Sequence, residues 1–140
     1  MVGSLQVKAG SKEVRGARLT MTVSALIELP YFGLLALLGP ASLFEWLFRV
    51  PPAPMEVVWI HAAGAVSLAL GVGCWYARGG GAPVIRLMSL VMTVAKSLAA
   101  AVFLVYLISG MLAPMHWVNF GLVTFLAGLN GWQFIAAMED

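Results

Sequence analysis

The chain has 140 residues, 61% of them hydrophobic and 10% charged, and its mean hydropathy is +0.95. Ordinary globular domains are roughly 45–50% apolar and about 25% charged, and a small soluble domain buries only about two-thirds of the surface of its unfolded chain. The composition therefore excludes a soluble enzyme, a nucleic-acid-binding domain and a disordered tail, in spite of a net charge of +2. It predicts an all-α, polytopic membrane protein that forms a single domain over residues 1–140.

The chain begins with a basic arm, residues 1–18, which contains Lys8, Lys12, Arg15 and Arg18. The first apolar run follows over residues 19–38 and ends at Gly39-Pro40. A helix of about 20 residues crosses a hydrocarbon layer of roughly 30 Å. A cleaved signal peptide is the alternative, but the run is too long for one and has Glu28 at its centre. We expect a retained membrane helix.

An amphipathic segment, residues 41–50, follows the first predicted span. Its apolar residues recur at helical spacing, and Glu45 and Arg49 form an i,i+4 pair on another face. Pro51-Pro52 ends the segment. We expect a short helix in the outer membrane interface that shields the end of the bundle, with a ligand gate or a partner surface as the alternative role.

Three further apolar runs cover residues 57–77, 83–108 and 117–138. Together with the first run they predict a bundle of four transmembrane helices. Most basic residues lie in the amino-terminal arm or beside the connection between the second and third spans, where Arg78 and Arg86 stand. By the positive-inside rule, we expect both termini on the cytoplasmic side of a membrane, with the bacterial inner (plasma) membrane as the expected location.

Two ionisable residues, Glu28 and Lys96, lie near the middle of the first and third predicted spans. A single charge at the bilayer centre costs about 2.5–3.5 kcal/mol on insertion scales, so opposite charges at similar depth predict a buried ion pair. Further polar side chains on the third and fourth spans complete a predicted ligand-binding polar core: Thr93, Asn119, Asn130 and Gln133. The alternative is a purely structural core whose members satisfy one another and fix the helix register.

Small residues and a proline shape the first two predicted spans. Gly64, Ser67, Gly71 and Cys74 form a seam on the second span that allows close helix approach. Pro30 frees a backbone carbonyl one turn earlier, near Leu26, and can bend the helix beside Glu28.

The two histidines, His61 and His116, are both expected toward the outer side of the bundle. Imidazoles from two helices can bind b-type haem, although neither histidine stands in a motif that selects haem. Hydrogen bonding in the core or at the interface is the alternative. The sequence predicts no metal site, and we find no established catalytic motif, so it leaves open whether the protein is an enzyme.

Three segments of the second half carry a family resemblance: Gly71-Val72-Gly73-Cys74-Trp75-Tyr76-Ala77-Arg78, Val94-Ala95-Lys96-Ser97 and Leu129-Asn130-Gly131-Trp132-Gln133-Phe134. They resemble segments of the DoxX-like small four-helix bacterial membrane proteins, in which an aspartate often stands in place of Asn130. The resemblance covers about half the chain. It implies a four-helix membrane fold and an accessory subunit, because some members are small subunits of quinone-linked oxidoreductases.

Three functions follow as hypotheses. The first is an accessory or assembly subunit of a larger membrane complex, without chemistry of its own, whose partners are lipid and other subunits or further copies of the chain. The second is an enzyme or carrier for a lipophilic molecule such as a quinone, sterol or isoprenoid. In it, Glu28 and Lys96 are the candidate catalytic, proton-handling groups, helped by Asn119, Asn130 and His116. The third is a b-type haem protein using His61 and His116. No nucleic-acid partner is expected.

Overall fold

The computed structural model describes residues 3–48, 54–110, 112 and 116–136, with side chains described within 15–46, 56–110, 112 and 116–136. The first helix comprises α1 (Gly3–Ile27), a π-helical segment (Glu28–Leu34) and α2 (Leu35–Leu38). The remaining elements are α3 (Ala41–Phe48), α4 (Pro54–Ala77), α5 (Ala82–Ile108) and α6 (His116–Ala136). This part of the chain contains helices and no strand, which confirms the all-α prediction.

Three helices are long and apolar enough to cross a membrane: Arg15–Leu38, Glu56–Ala77 and Ala82–Ile108. They match the first three predicted spans. Only 28%, 17% and 17% of the most apolar part of these helices is buried inside the protein. Their apolar surface therefore faces outward, which indicates that the protein is associated with a membrane.

The fourth predicted span and the predicted interfacial helix are helical in the structure, but neither is among the helices that are long and apolar enough to cross a membrane. Helix α6 covers residues 116–136 of the chain, but it is not among the three helices above. His116, Asn119, Asn130 and Gln133 lower its mean hydropathy. Helix α3 coincides with the predicted segment 41–50 up to residue 48, and its interfacial location stays a prediction. The ends of both segments, residues 49–50 and 137–138, lie outside the described residues.

The first helix packs antiparallel against α4 through glycines. Gly33 lies against the backbone of Leu68, and a Cβ added to Gly64 would come within 2.4 Å of the backbone nitrogen of Leu37. A Cβ on Gly71 would lie 2.8 Å from Cγ of Leu29. The predicted small-residue seam therefore does bring these two helices into close contact.

Helices α5 and α6 form a second antiparallel pair. Gly131 lies beside Thr93, and the ring of His116 stacks on Phe103 with the centroids 6.3 Å apart. The two pairs meet near the turn between α4 and α5, where Met88 contacts Gly73. We call this the turn end of the protein, and we call the opposite end, where α3 lies, the α3 end.

The π-helical segment has its origin in Pro30. Proline has no backbone N–H, so it cannot donate the α-helical hydrogen bond to the carbonyl of Leu26. Past the proline, the backbone N–H of Leu35 bonds to the carbonyl of Pro30, five residues earlier, which is the spacing of a π-helix. The expected disturbance beside Glu28 is therefore a widened helix that begins at Glu28 itself.

We expect Gly64→Ala to destabilise the protein by about 1–3 kcal/mol, because the new methyl group overpacks a backbone contact. Gly121→Ala is the matched control: apart from the adjoining residues and backbone of its own helix, no atom of the described residues lies within 4 Å of its added Cβ, and alanine favours a helix by about 1 kcal/mol over glycine. Thermal melts in detergent measure both effects. Equal melting temperatures for the two variants would contradict the close contact.

Candidate functional site

A buried ion pair joins the two helix pairs. Nζ of Lys96, on α5, lies 2.6 Å from Oε1 of Glu28, the first residue of the π-helical segment. The Glu28 side chain is fully buried and that of Lys96 is 6% exposed. The structure thus confirms the predicted ion pair, in surroundings where an unpaired charge would be costly.

Aromatic and small residues surround the pair. Nζ of Lys96 lies 4.8 Å from the ring centre of Phe32, within cation–π distance. On the side of α4, the absence of a side chain at Gly71 leaves room for Glu28. The second carboxylate oxygen of Glu28, Oε2, is buried and makes no hydrogen bond to any residue that the structure describes, although the Ser67 side chain lies nearby.

A cavity of about 530 Å³ extends from the ion pair toward the α3 end, between the two helix pairs. Cavities of roughly 300–1,000 Å³ are typical of small-molecule sites. Its wall is mostly apolar and includes Phe32, Phe44, Ile60, Phe103 and Val123. Lys96 and Phe103 are seven residues apart on α5, which separates them by about 10 Å along the helix axis. The ion pair therefore forms the polar end of a mostly apolar cavity.

A chain of hydrogen bonds lines the same cavity. The hydroxyl of Tyr31 donates to Oδ1 of Asn119 over 2.8 Å, and Nδ2 of Asn119 lies 3.0 Å from Nδ1 of His116. Because Nδ2 of Asn119 can only donate, Nδ1 of His116 accepts and the imidazole proton is carried by Nε2. Tyr31 shares a helix face with Glu28, but the sequence gives no sign that its partner is Asn119.

The other predicted members of the polar core lie elsewhere. Asn130 is fully buried and donates to Oγ of Ser24 over 2.9 Å and to the carbonyl of Leu126 over 2.8 Å. Thr93 is half-buried and donates to the carbonyl of Ser89. Gln133 is half-buried, one turn beyond Asn130 on α6. Of the predicted ligand-binding residues in the described part of the chain, Lys96 and Asn119 line the cavity, whereas Glu28 supports Lys96 from beneath.

The two histidines have different surroundings. Nε2 of His61 lies 3.2 Å from the carbonyl of Gly39, and since a carbonyl only accepts, this nitrogen donates. His116 lines the cavity, and among the described lining residues His61 does not appear. A b-type haem held by both therefore stays a prediction. The described residues contain no group of three His, Cys, Asp or Glu side chains that could hold a metal ion.

Comparisons of the chain with family models, with curated proteins and with solved structures found no match. The DoxX-like resemblance therefore rests on the three sequence segments alone.

We expect Lys96→Met to destabilise the protein more than Lys96→Met combined with Glu28→Gln. Removing one partner of a buried pair typically costs about 3–5 kcal/mol, whereas replacing both partners is often near neutral. Thermal melts of the two single variants and the double variant, in one detergent, measure the coupling. Simple additivity of the two single effects would mean that the pair contributes no interaction energy.

Proposed function

We propose that the protein binds a lipophilic small molecule in the cavity above the Glu28–Lys96 pair. The observation that carries this proposal is the position of Lys96, which lines an otherwise mostly apolar cavity of about 530 Å³ while its charge is compensated from beneath. An apolar chamber with a few converging polar groups is the usual form of a small-molecule site. It corresponds to the second hypothesis from the sequence, an enzyme or carrier for a quinone, sterol or isoprenoid.

The charge balance of the Glu28–Lys96 pair favours a neutral ligand. An ammonium group has three N–H donors, and in Lys96 the Glu28 carboxylate occupies one side of it. The remaining donor capacity suits a carbonyl or hydroxyl oxygen. An anionic head group would gain less, because Glu28 already neutralises Lys96 and would repel a second negative charge at this depth.

The upper part of the cavity offers ring surfaces and a second polar group. Phe103 and Phe44 provide aromatic faces and edges, and Asn119 and His116 lie on the α6 side. An amphiphile with a ring near its polar head would contact both kinds of surface. Glu28 and Lys96 are the groups that we propose for any proton transfer to such a ligand.

We further propose four membrane spans, with α6 as the fourth and with both termini in the cytoplasm of a bacterial cell. Helix α6 has 21 residues, about 32 Å at 1.5 Å per residue, and it runs antiparallel to α5, itself a candidate span. Basic residues at the turn end, including Arg15, Arg18, Arg78 and Arg86, support the orientation. We propose that α3 lies in the opposite interface, where the exposed Trp46 and Trp59 also stand.

Filling the cavity tests the ligand proposal. We expect native mass spectrometry of the wild type, released from mild detergent, to show a retained lipophilic molecule that Ala99→Phe removes, because Ala99 lines the cavity. Ala101→Phe, on the exposed side of the same helix, is the matched control and should retain the molecule. Equal ligand occupancy in both variants, or no retained molecule in the wild type, would contradict the proposal.

The accessory-subunit hypothesis is a second proposal, and it is compatible with a ligand in the cavity. We expect the native protein, solubilised in mild detergent, to migrate on blue-native electrophoresis at a mass above that of the 14.9 kDa chain with its bound detergent. A monomer that brings down no other subunit would contradict it. A pyridine haemochrome spectrum of the same preparation distinguishes the haem hypothesis from both.

A further inference from the structure

A second buried polar cluster lies on the side of the ion pair away from the cavity. We define the serine–asparagine cluster as Ser24 on α1, Ser89 on α5 and Asn130 on α6. All three residues are 0% exposed, and none of them is among the described residues that line the cavity. Three different helices therefore direct polar side chains into the protein toward the turn end.

Contacts between the helices place the three residues of the cluster at a similar level. Asn130 donates to Oγ of Ser24, which ties α6 to α1. Its neighbour Gly131 lies against Thr93, which in turn donates to the carbonyl of Ser89, so Asn130 lies at the level of this turn of α5. Ser24 is one helical turn before Glu28 on the same face of the first helix. Ser24 and its partner Asn130 therefore lie about one helical turn from Glu28, toward the turn end.

Two oxygens of the cluster are buried without a hydrogen-bond partner in the described part of the chain. They are Oδ1 of Asn130 and Oγ of Ser89. The amide nitrogen of Asn130 already donates twice, to Ser24 and to a backbone carbonyl, so the orientation of its side chain is fixed and Oδ1 is an acceptor. Buried polar atoms of this kind are usually satisfied by ordered water.

We propose that the serine–asparagine cluster forms an internal water-binding site on the opposite side of the ion pair from the cavity. The hydrogen-bonding groups match those of water: Oδ1 of Asn130 offers an acceptor, and the two serine hydroxyls offer donors. A metal cation fits less well, because Lys96 already balances the charge of Glu28 and an added cation would be uncompensated in a buried site.

The water site and the cavity lie on opposite sides of the ion pair. Lys96 lines the cavity, whereas the water site joins Ser89 on α5 to Asn130 on α6 toward the turn end. This inference is independent of the ligand proposal, because none of the three cluster residues lines the cavity.

Hydroxyl-radical footprinting by pulsed X-ray radiolysis tests for this water, since radicals form from bound water and oxidise the side chains beside it. Met92 is the reporter: it is 0% exposed and one turn from Ser89 on the same helix. We expect oxidation of Met92 in the wild type, with a several-fold loss in Asn130→Leu and in Ser89→Ala. Ser89→Ala removes only a hydroxyl that bonds to no described residue, so it leaves the described hydrogen bonds of the fold in place.

Two controls separate this test from the others. Ser97→Ala, at an exposed serine of the same helix, should leave the oxidation of Met92 unchanged. Ala99→Phe, which fills the cavity, should also leave it unchanged, so a failure of the ligand proposal does not affect this result. An unoxidised Met92 in the wild type, or equal oxidation in wild type and Ser89→Ala, would overturn the water site.

Discussion

The contact between Glu28 and Lys96 is the constraint on which the arrangement of the helices depends. In a medium of low dielectric constant neither charge is tolerated alone, so each fixes the position of the other. Glu28 belongs to the first helix and Lys96 to α5, and each of these helices is packed closely against a different partner. The pair therefore sets the distance between two otherwise compact halves of the protein.

The two halves approach each other differently on either side of this contact. Toward the turn end, small or flexible residues such as Gly73, Cys74 and Met88 let α4 and α5 come close. Toward the α3 end, larger aromatic residues line a cavity, and the hydrogen bond from Tyr31 to Asn119 spans from one half to the other. The closely packed region toward the turn end and the cavity toward the α3 end thus meet at the Glu28–Lys96 ion pair.

The sequence was sufficient to predict features that depend on depth and length. The rise per residue placed Glu28 and Lys96 at the same level, and the spacing of Gly64 and Gly71 indicated a close helix contact. The size and the lining of the cavity were not predictable, because they depend on the separation of helices that are distant in sequence. Asn119 and Asn130 were predicted to belong to one polar core, but they are 11 residues apart on α6, about 16 Å along the axis. The ion pair lies between these two levels, so they belong to different sites.

The π-helical turn has a consequence for the phase of the first helix. Each residue of an α-helix advances the chain by about 100°, whereas the wider segment at Glu28–Leu34 accommodates its residues with less rotation. The carboxylate of Glu28 at the start of this segment and the Gly33–Leu68 contact near its end are thereby kept in a fixed angular relation. Deleting one residue from the segment would restore the regular rotation of an α-helix. Glu28 and Gly33 would then lose their relative orientation, and either the contact with Lys96 or the contact with Leu68 would be lost.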